Sequence, residues 1–235
     1  YAVYHGPNGL KEISSKVHHL TTHLNNALKE MNITQKNTNF FDTLHIETSK
    51  ETLTKIKENC KKNQLNLRFI NETQCSISLD ETTSYNEVKE IINCLNTSNM
   101  AVTELSSEPN ELSSTIDTSL LRQDNYLTHH TFNSYHSETN MLRYIKELEK
   151  KDLSLTQSMI PLGSCTMKLT GTTLMTALSW AKFSNIHPFA PLDQTRGYQK
   201  IITELESFLC EITGFAATSL QPNSGAQGEY AGLLT

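Results

Sequence analysis

The sequence predicts an α/β chain in two unequal parts joined by a polar linker, and three observations carry that prediction. Residues 1–95 alternate helical and strand periodicities in the order α-β-α-β-β-α. Residues 96–131 lose that periodicity and turn to Ser, Thr, Asn and Glu around Pro109. Residues 132–235 return to amphipathic helices and reach QPNSGAQGEYAG, Gln221 to Gly232, which packs a turn, glycines and a helix start behind an apolar segment.

In the first part, Leu10, Ile13, Val17, Leu20, Leu24, Leu28 and Met31 recur at helical spacing, so a long amphipathic helix is predicted over about 10–31. His19 and His23 stand one turn apart, opposite this apolar stripe. That spacing can bind a metal, but no Glu accompanies them in an H-E-x-x-H pattern, and they read as solvated histidines. A strand with Phe41, Leu44 and Ile46 follows, then a helix with Leu53, Ile56 and Cys60. Leu65, Leu67 and Phe69, and then Cys75, Ile77 and Leu79, alternate as two strands; a turn through Asn71 and Glu72 makes them a hairpin. Ser84 and Glu87 form a capping box for a helix buried through Val88, Ile91, Ile92 and Leu95. These elements make a compact α+β layer, one sheet with helices on one face.

Beyond the linker, a helix is predicted near 138–151, with Met141, Ile145 and Leu148 on one stripe and Glu147 and Lys151 four apart. Another spans about 197–213 through Tyr198, Ile201, Ile202, Leu205, Leu209 and Ile212, with Gly214 as its C-cap. The turn that follows has two readings. Backbone N–H groups of Ser224, Gly225 and Ala226 at a helix start make a seat for a phosphate or other anion. Ser224 and Gln227 also have the S-x-x-Q spacing of a capping box, which starts a helix and binds nothing.

Composition narrows the function. A net charge of −5 and a pI near 6.0 argue against a nucleic-acid binder, since neutralising phosphates takes clustered Lys and Arg. The one basic knot, KENCKK at Lys57–Lys62, reads as a solvated helix C-terminus. The five cysteines are odd in number and widely spaced without a C-x-x-C, so neither a disulfide framework nor a zinc site is indicated. No apolar run is long enough to span a bilayer; no signal peptide is seen either, and any targeting segment would lie outside this chain. The chain opens on Tyr1 rather than Met and stops a few residues into an apolar helix, so it reads as an internal piece of a longer protein.

Several non-periodic segments have a residue-specific character that packing alone rarely produces: SYHSETNMLRY at Ser134–Tyr144, SMIPLGSCTMKL at Ser158–Leu169, NIHPFAPLDQ at Asn185–Gln194 and the turn at Gln221–Gly232. Together they resemble the P-protein family of the glycine cleavage system, pyridoxal-phosphate-dependent decarboxylating glycine dehydrogenases. The resemblance runs from about Phe132 to the C-terminus. It continues more weakly through YAVYHGPNGL, FFDTLHIET and SISLDETTS, and is scant from Asn96 to His130. It implies pieces of a fold-type-I enzyme of the aspartate-aminotransferase type: the small C-terminal α+β domain of a first half (1–95), a linker (96–131) and the opening of the large domain of the second, catalytic half (132–235).

The activity implied is release of CO₂ from glycine and transfer of the aminomethyl group to the lipoyl group of H-protein, in glycine catabolism. Pyridoxal 5′-phosphate is the implied cofactor, and glycine, lipoylated H-protein and a second copy in a homodimer are the implied partners. Ser224, Gly225 and Ala226 take the phosphate seat in this comparison. Ser164, Cys165 and Thr166 line the substrate pocket with His187 at its mouth. Each of these has a plainer reading: Cys165 as a small buried apolar residue, His187 as a residue fixed in a turn by Pro188. The Schiff-base Lys is expected beyond Thr235, and Lys168 does not match its motif, so this piece alone is expected to be inactive. The compartment implied is the mitochondrial matrix for a eukaryotic source and the cytoplasm for a bacterial one. The alternatives are a non-catalytic scaffold piece of such a chain, or another fold-type-I enzyme.

One patch departs from the pattern. After Leu169 the family has Asn and later an acid and a Pro before the Trp, whereas TGTTLMTALSW here places Thr170, Leu174 and Ala177 at those positions. The local helix start therefore loses a cap and a polar contact.

Overall fold

A computed structural model describes residues 1–103, 116–154, 157 and 170–235. They form two units, residues 1–148 and 149–235. The chain is mixed α/β, with a small antiparallel sheet in the first unit.

In the first unit, α1 (Ala2–Glu30) leads to β1 (Thr34–Gln35), β2 (Thr43–Glu47), α2 (Lys50–Lys62), β3 (Arg68–Phe69), β4 (Gln74–Ser78) and α3 (Tyr85–Leu95). The sheet order is β1-β2-β4-β3, antiparallel throughout. β2 and β4 pair with Leu44 opposite Ile77 and Ile46 opposite Cys75. All four of these side chains are buried, and strand alternation puts them on one face of the sheet. There they join Leu20, Leu24 and Leu28 of α1, Leu53, Ile56 and Cys60 of α2, and Val88, Ile91, Ile92 and Leu95 of α3 in one core. Each large aliphatic side chain so buried contributes about 1.5–3 kcal/mol.

Two of the three helices on this core, α2 and α3, start as their sequences dictate. Ser49 Oγ accepts from the Thr52 N–H ahead of α2. Ser84 and Glu87 form the full reciprocal box ahead of α3, with Ser84 N–H donating to Glu87 Oε2 at 2.7 Å and Glu87 N–H to Ser84 Oγ at 3.2 Å.

Several expectations are corrected. α1 begins at Ala2, not near Leu10: one turn, residues 2–5, precedes a non-helical kink at Gly6, and the long helix runs on from there. β1 was not anticipated: two residues carry no period. Phe41 lies outside β2, which starts at Thr43, and is exposed. The largest correction concerns the histidines. His19 is buried with neither ring nitrogen hydrogen-bonded, and His23 is half-buried. Beyond the sheet-facing stripe, α1 has a second contact surface against α3, where the His19 ring meets Tyr85 edge-on at 6.2 Å. Polar residues line that surface, so apolar periodicity does not reveal it.

The rest of the first unit includes a 3-10 turn at His130–Asn133 and α4 (Glu138–Glu149). α4 ends at Glu149, which leaves Lys151 outside the helix.

Candidate functional site

The second unit contains α5 (Thr172–Met175), α6 (Ala181–Ser184), α7 (Arg196–Thr213) and α8 (Gly225–Leu234). α7 ends as its sequence predicts: Gly214 takes φ +74° and donates its N–H to Cys210 O at 2.8 Å, a left-handed cap that glycine adopts without a Cβ penalty. The returning chain is tied to α7 where Cys210 Sγ and Thr218 Oγ1 lie 3.3 Å apart. It then enters α8 through the Gln221–Ser224 turn.

Ser224 is the N-cap of α8, extended at φ −154° and ψ 165°, and its Oγ accepts the Gln227 N–H at 3.2 Å. Gln227 reaches back as in a capping box but takes the N–H of Asn223, at 2.8 Å, one residue earlier than the expected Ser224. Gln227 thus braces the turn ahead of the helix, a role its position three residues after Ser224 signals. The N–H groups of Gly225 and Ala226 stand in the first turn, where a helix offers no internal acceptor, and both residues are exposed. No acidic side chain occupies that turn. A Cβ on Gly225 would meet nothing within 4 Å, and its φ is not in the left-handed range. The glycine therefore leaves open space in front of the helix's positive pole rather than serving a strained backbone.

His187 opens a turn. Ala190 N–H donates to His187 O at 2.9 Å, and Phe189 N–H donates to His187 Nδ1 at 3.0 Å. With Nδ1 accepting, the neutral ring carries its proton on Nε2. The turn lies between α6 and α7, which are joined by the Tyr198 hydroxyl donating to Phe183 O at 2.7 Å and by their rings packing edge to face at 5.6 Å. The hydrogen bonds of His187 stay in its own turn and those of Ser224 in its helix start. Ser164, Cys165 and Thr166 lie outside the described residues, as does Lys168. At the divergent patch, α5 starts from Gly171 with no side-chain cap and lasts four residues.

A cavity of about 350 Å³ lies elsewhere, in the first unit, between α1 and α3; His23, Tyr85, Lys89 and Asn93 are among its lining. Among the described residues no group of three or more His, Cys, Asp or Glu is placed to hold a metal ion, and no helix is long and apolar enough to cross a membrane.

Residues 1–95 match the family model described as glycine cleavage system P-protein. Over its whole length the chain is 50% identical to glycine dehydrogenase (decarboxylating) of Nostoc sp. and 49% identical to that of Stutzerimonas stutzeri. It is likewise 49% identical to glycine dehydrogenase (decarboxylating) 2 of Pseudomonas fluorescens. In each case it spans 24% of the relative's length, about a quarter. The resemblance drawn from the motifs is borne out. The relatives are bacterial, and they lend the mitochondrial expectation no support.

Proposed function

We propose that this chain is a stretch of a glycine cleavage system P-protein, and that the whole protein decarboxylates glycine with pyridoxal 5′-phosphate and hands the aminomethyl group to the lipoyl disulfide of H-protein. The observation that carries the proposal is the end-to-end similarity at about 50% identity to proteins of that name. The open helix start at Gly225 supports the cofactor part, because it suits a dianionic phosphate: two unshared N–H groups, a positive helix pole and no competing carboxylate.

In this reading Gly225 and Ala226 donate their N–H groups to the phosphate. The Ser224 Oγ keeps accepting from Gln227 N–H and donates its own proton to a phosphate oxygen, which a hydroxyl can do at once. Bound pyridoxal phosphate supplies the electron sink for the charge left on the glycine carbon when CO₂ departs. His187, with its proton on Nε2, serves as a donor towards the substrate carboxylate, and Ser164, Cys165 and Thr166 complete the pocket. The lipoyl disulfide is reduced as its sulfur takes the aminomethyl carbon, so the overall reaction is an oxidoreduction. The Schiff-base Lys and the acid facing the ring nitrogen lie in parts of the protein outside this chain, and the chain alone is inactive. The proposed assembly is a homodimer, and the proposed compartment is the bacterial cytoplasm.

Titration of the full-length apo-protein with pyridoxal phosphate tests the seat. Gly225→Val should weaken cofactor binding by about 1–3 kcal/mol, the loss of one or two charge-assisted hydrogen bonds. Open space around Gly225 means the added side chain crowds the anion and not the fold. Ser224→Ala should weaken it less. Unchanged affinity in Gly225→Val would remove the phosphate assignment and leave only the helix cap.

A further inference from the structure

Gly6 interrupts α1 at φ +63° and ψ −177°, a region essentially restricted to glycine. Pro7 behind it has no N–H to offer the preceding turn. Two side chains from far along the chain meet the carbonyls at this interruption. His136 Nδ1 lies 2.8 Å from Tyr4 O, and the Tyr126 hydroxyl donates to Pro7 O at 2.7 Å. A carbonyl only accepts, so His136 carries its proton on Nδ1. The approach is close: a Cβ on Gly6 would stand 2.6 Å from His136 Cε1 and 2.7 Å from Phe132 O.

None of residues 116–148 is buried, and Leu142, Ile145 and Leu148 of α4 are exposed. Apolar burial, which holds α1, α2 and α3 to the sheet, therefore does little for this segment. The stacked rings of Tyr135 and Tyr144, 4.1 Å apart, join the turn that carries His136 to α4.

We propose that Gly6 is the socket of an intramolecular latch, in which His136 and Tyr126 pin the 116–148 segment, and α4 with it, onto the N-terminal end of α1. His136 and Gly6 are then positioning residues, and the latch stands independently of the proposed activity. It joins two segments, YAVYHGPNGL and SYHSETNMLRY, that lie more than a hundred residues apart in the sequence.

Hydrogen exchange read by mass spectrometry on the intact protein tests the latch. Gly6→Ala, Tyr126→Phe and His136→Gln should each speed amide exchange in residues 126–137, roughly three- to tenfold per hydrogen bond removed. Exchange in residues 43–60 should stay unchanged. His136→Asn should keep exchange slow, because an Asn side-chain amide reaches the place of Nδ1 whereas that of Gln reaches the place of Nε2. The Gly6-independent substitutions keep the test usable should Gly6→Ala fold poorly. Parental exchange rates at 126–137 in both Tyr126→Phe and His136→Gln would overturn the latch, and equal effects of Asn and Gln would overturn the assignment to Nδ1.

Discussion

Buried in the core of the first unit, the Cys60 thiol is pushed up to about 12, first by loss of water around its charged form and then by neighbouring Cys94 and Cys75. Burial alone takes Cys75 to about 11. Thiolate is the reacting form, so native protein at pH 8 should leave both unlabelled by iodoacetamide and expose them on denaturation; rapid native labelling of Cys60 would contradict the core described. His19 titrates in the opposite sense. It is 6% exposed, and burial, then His18, holds its pKa below the ordinary value near 6.5. Burial lowers His23 likewise. As pH falls, the unfolded chain takes these protons first, so stability present above about pH 6.5 is lost from there down to the lower folded pKa. Urea midpoints at pH 7.5 and 5.5 should show that loss in the parent and a smaller one in His19→Phe, which removes the proton site. The hydrogen-bonded carboxylates Glu47 and Asp80, whose pKa values are lowered, lose their contribution only below about pH 4.3, so the two effects separate.

At the scale of elements, what was legible depended on how local the signal is. The Ser84–Glu87 box and the Gly214 cap were readable because each is a short-range bond between residues at fixed spacing. Ser84→Ala should accordingly cost about 1 kcal/mol of thermal stability. Glu87→Gln should cost less, since its amide still accepts from the Ser84 N–H; equal losses would mean charge, not the bond, matters. β2, β4 and α2 were readable from their apolar periods. β1 and the polar second surface of α1 were not, because pairing with β2 and packing on α3 are tertiary events that leave no period in their own residues. The candidate site divides the same way. The start of α8 followed from Ser224 and the glycines, whereas the brace from Gln227 to Asn223 depended on which of two adjacent N–H groups the amide reaches. The proposed pocket of His187 with Ser164–Thr166 would depend on tertiary placement, which no spacing encodes.

Across the molecule, apolar residues meet two different fates. In the first unit those of the sheet and α1–α3 close over one core, but α7 in the second unit keeps Tyr198, Ile201, Leu205, Phe208 and Ile212 exposed, the last at 79%. Their spacing of three, four, three and four puts them on a single stripe, the pattern with which an amphipathic helix meets a core or partner. Phe189, at 91% exposure, adds a further uncovered ring in the same unit. Contiguous apolar surface of this kind drives association in water, and a net charge of −5 spread over 235 residues offers weak repulsion against it. Purified on its own, the chain should therefore bind 1-anilinonaphthalene-8-sulfonate and sediment as concentration-dependent oligomers. Leu205→Glu with Phe208→Glu, both on the stripe and neither buried, should lower dye fluorescence and shift sedimentation towards monomer while leaving the melting of the first unit in place. Dye binding and association unaffected by the two charges would show that α7 is not the surface responsible.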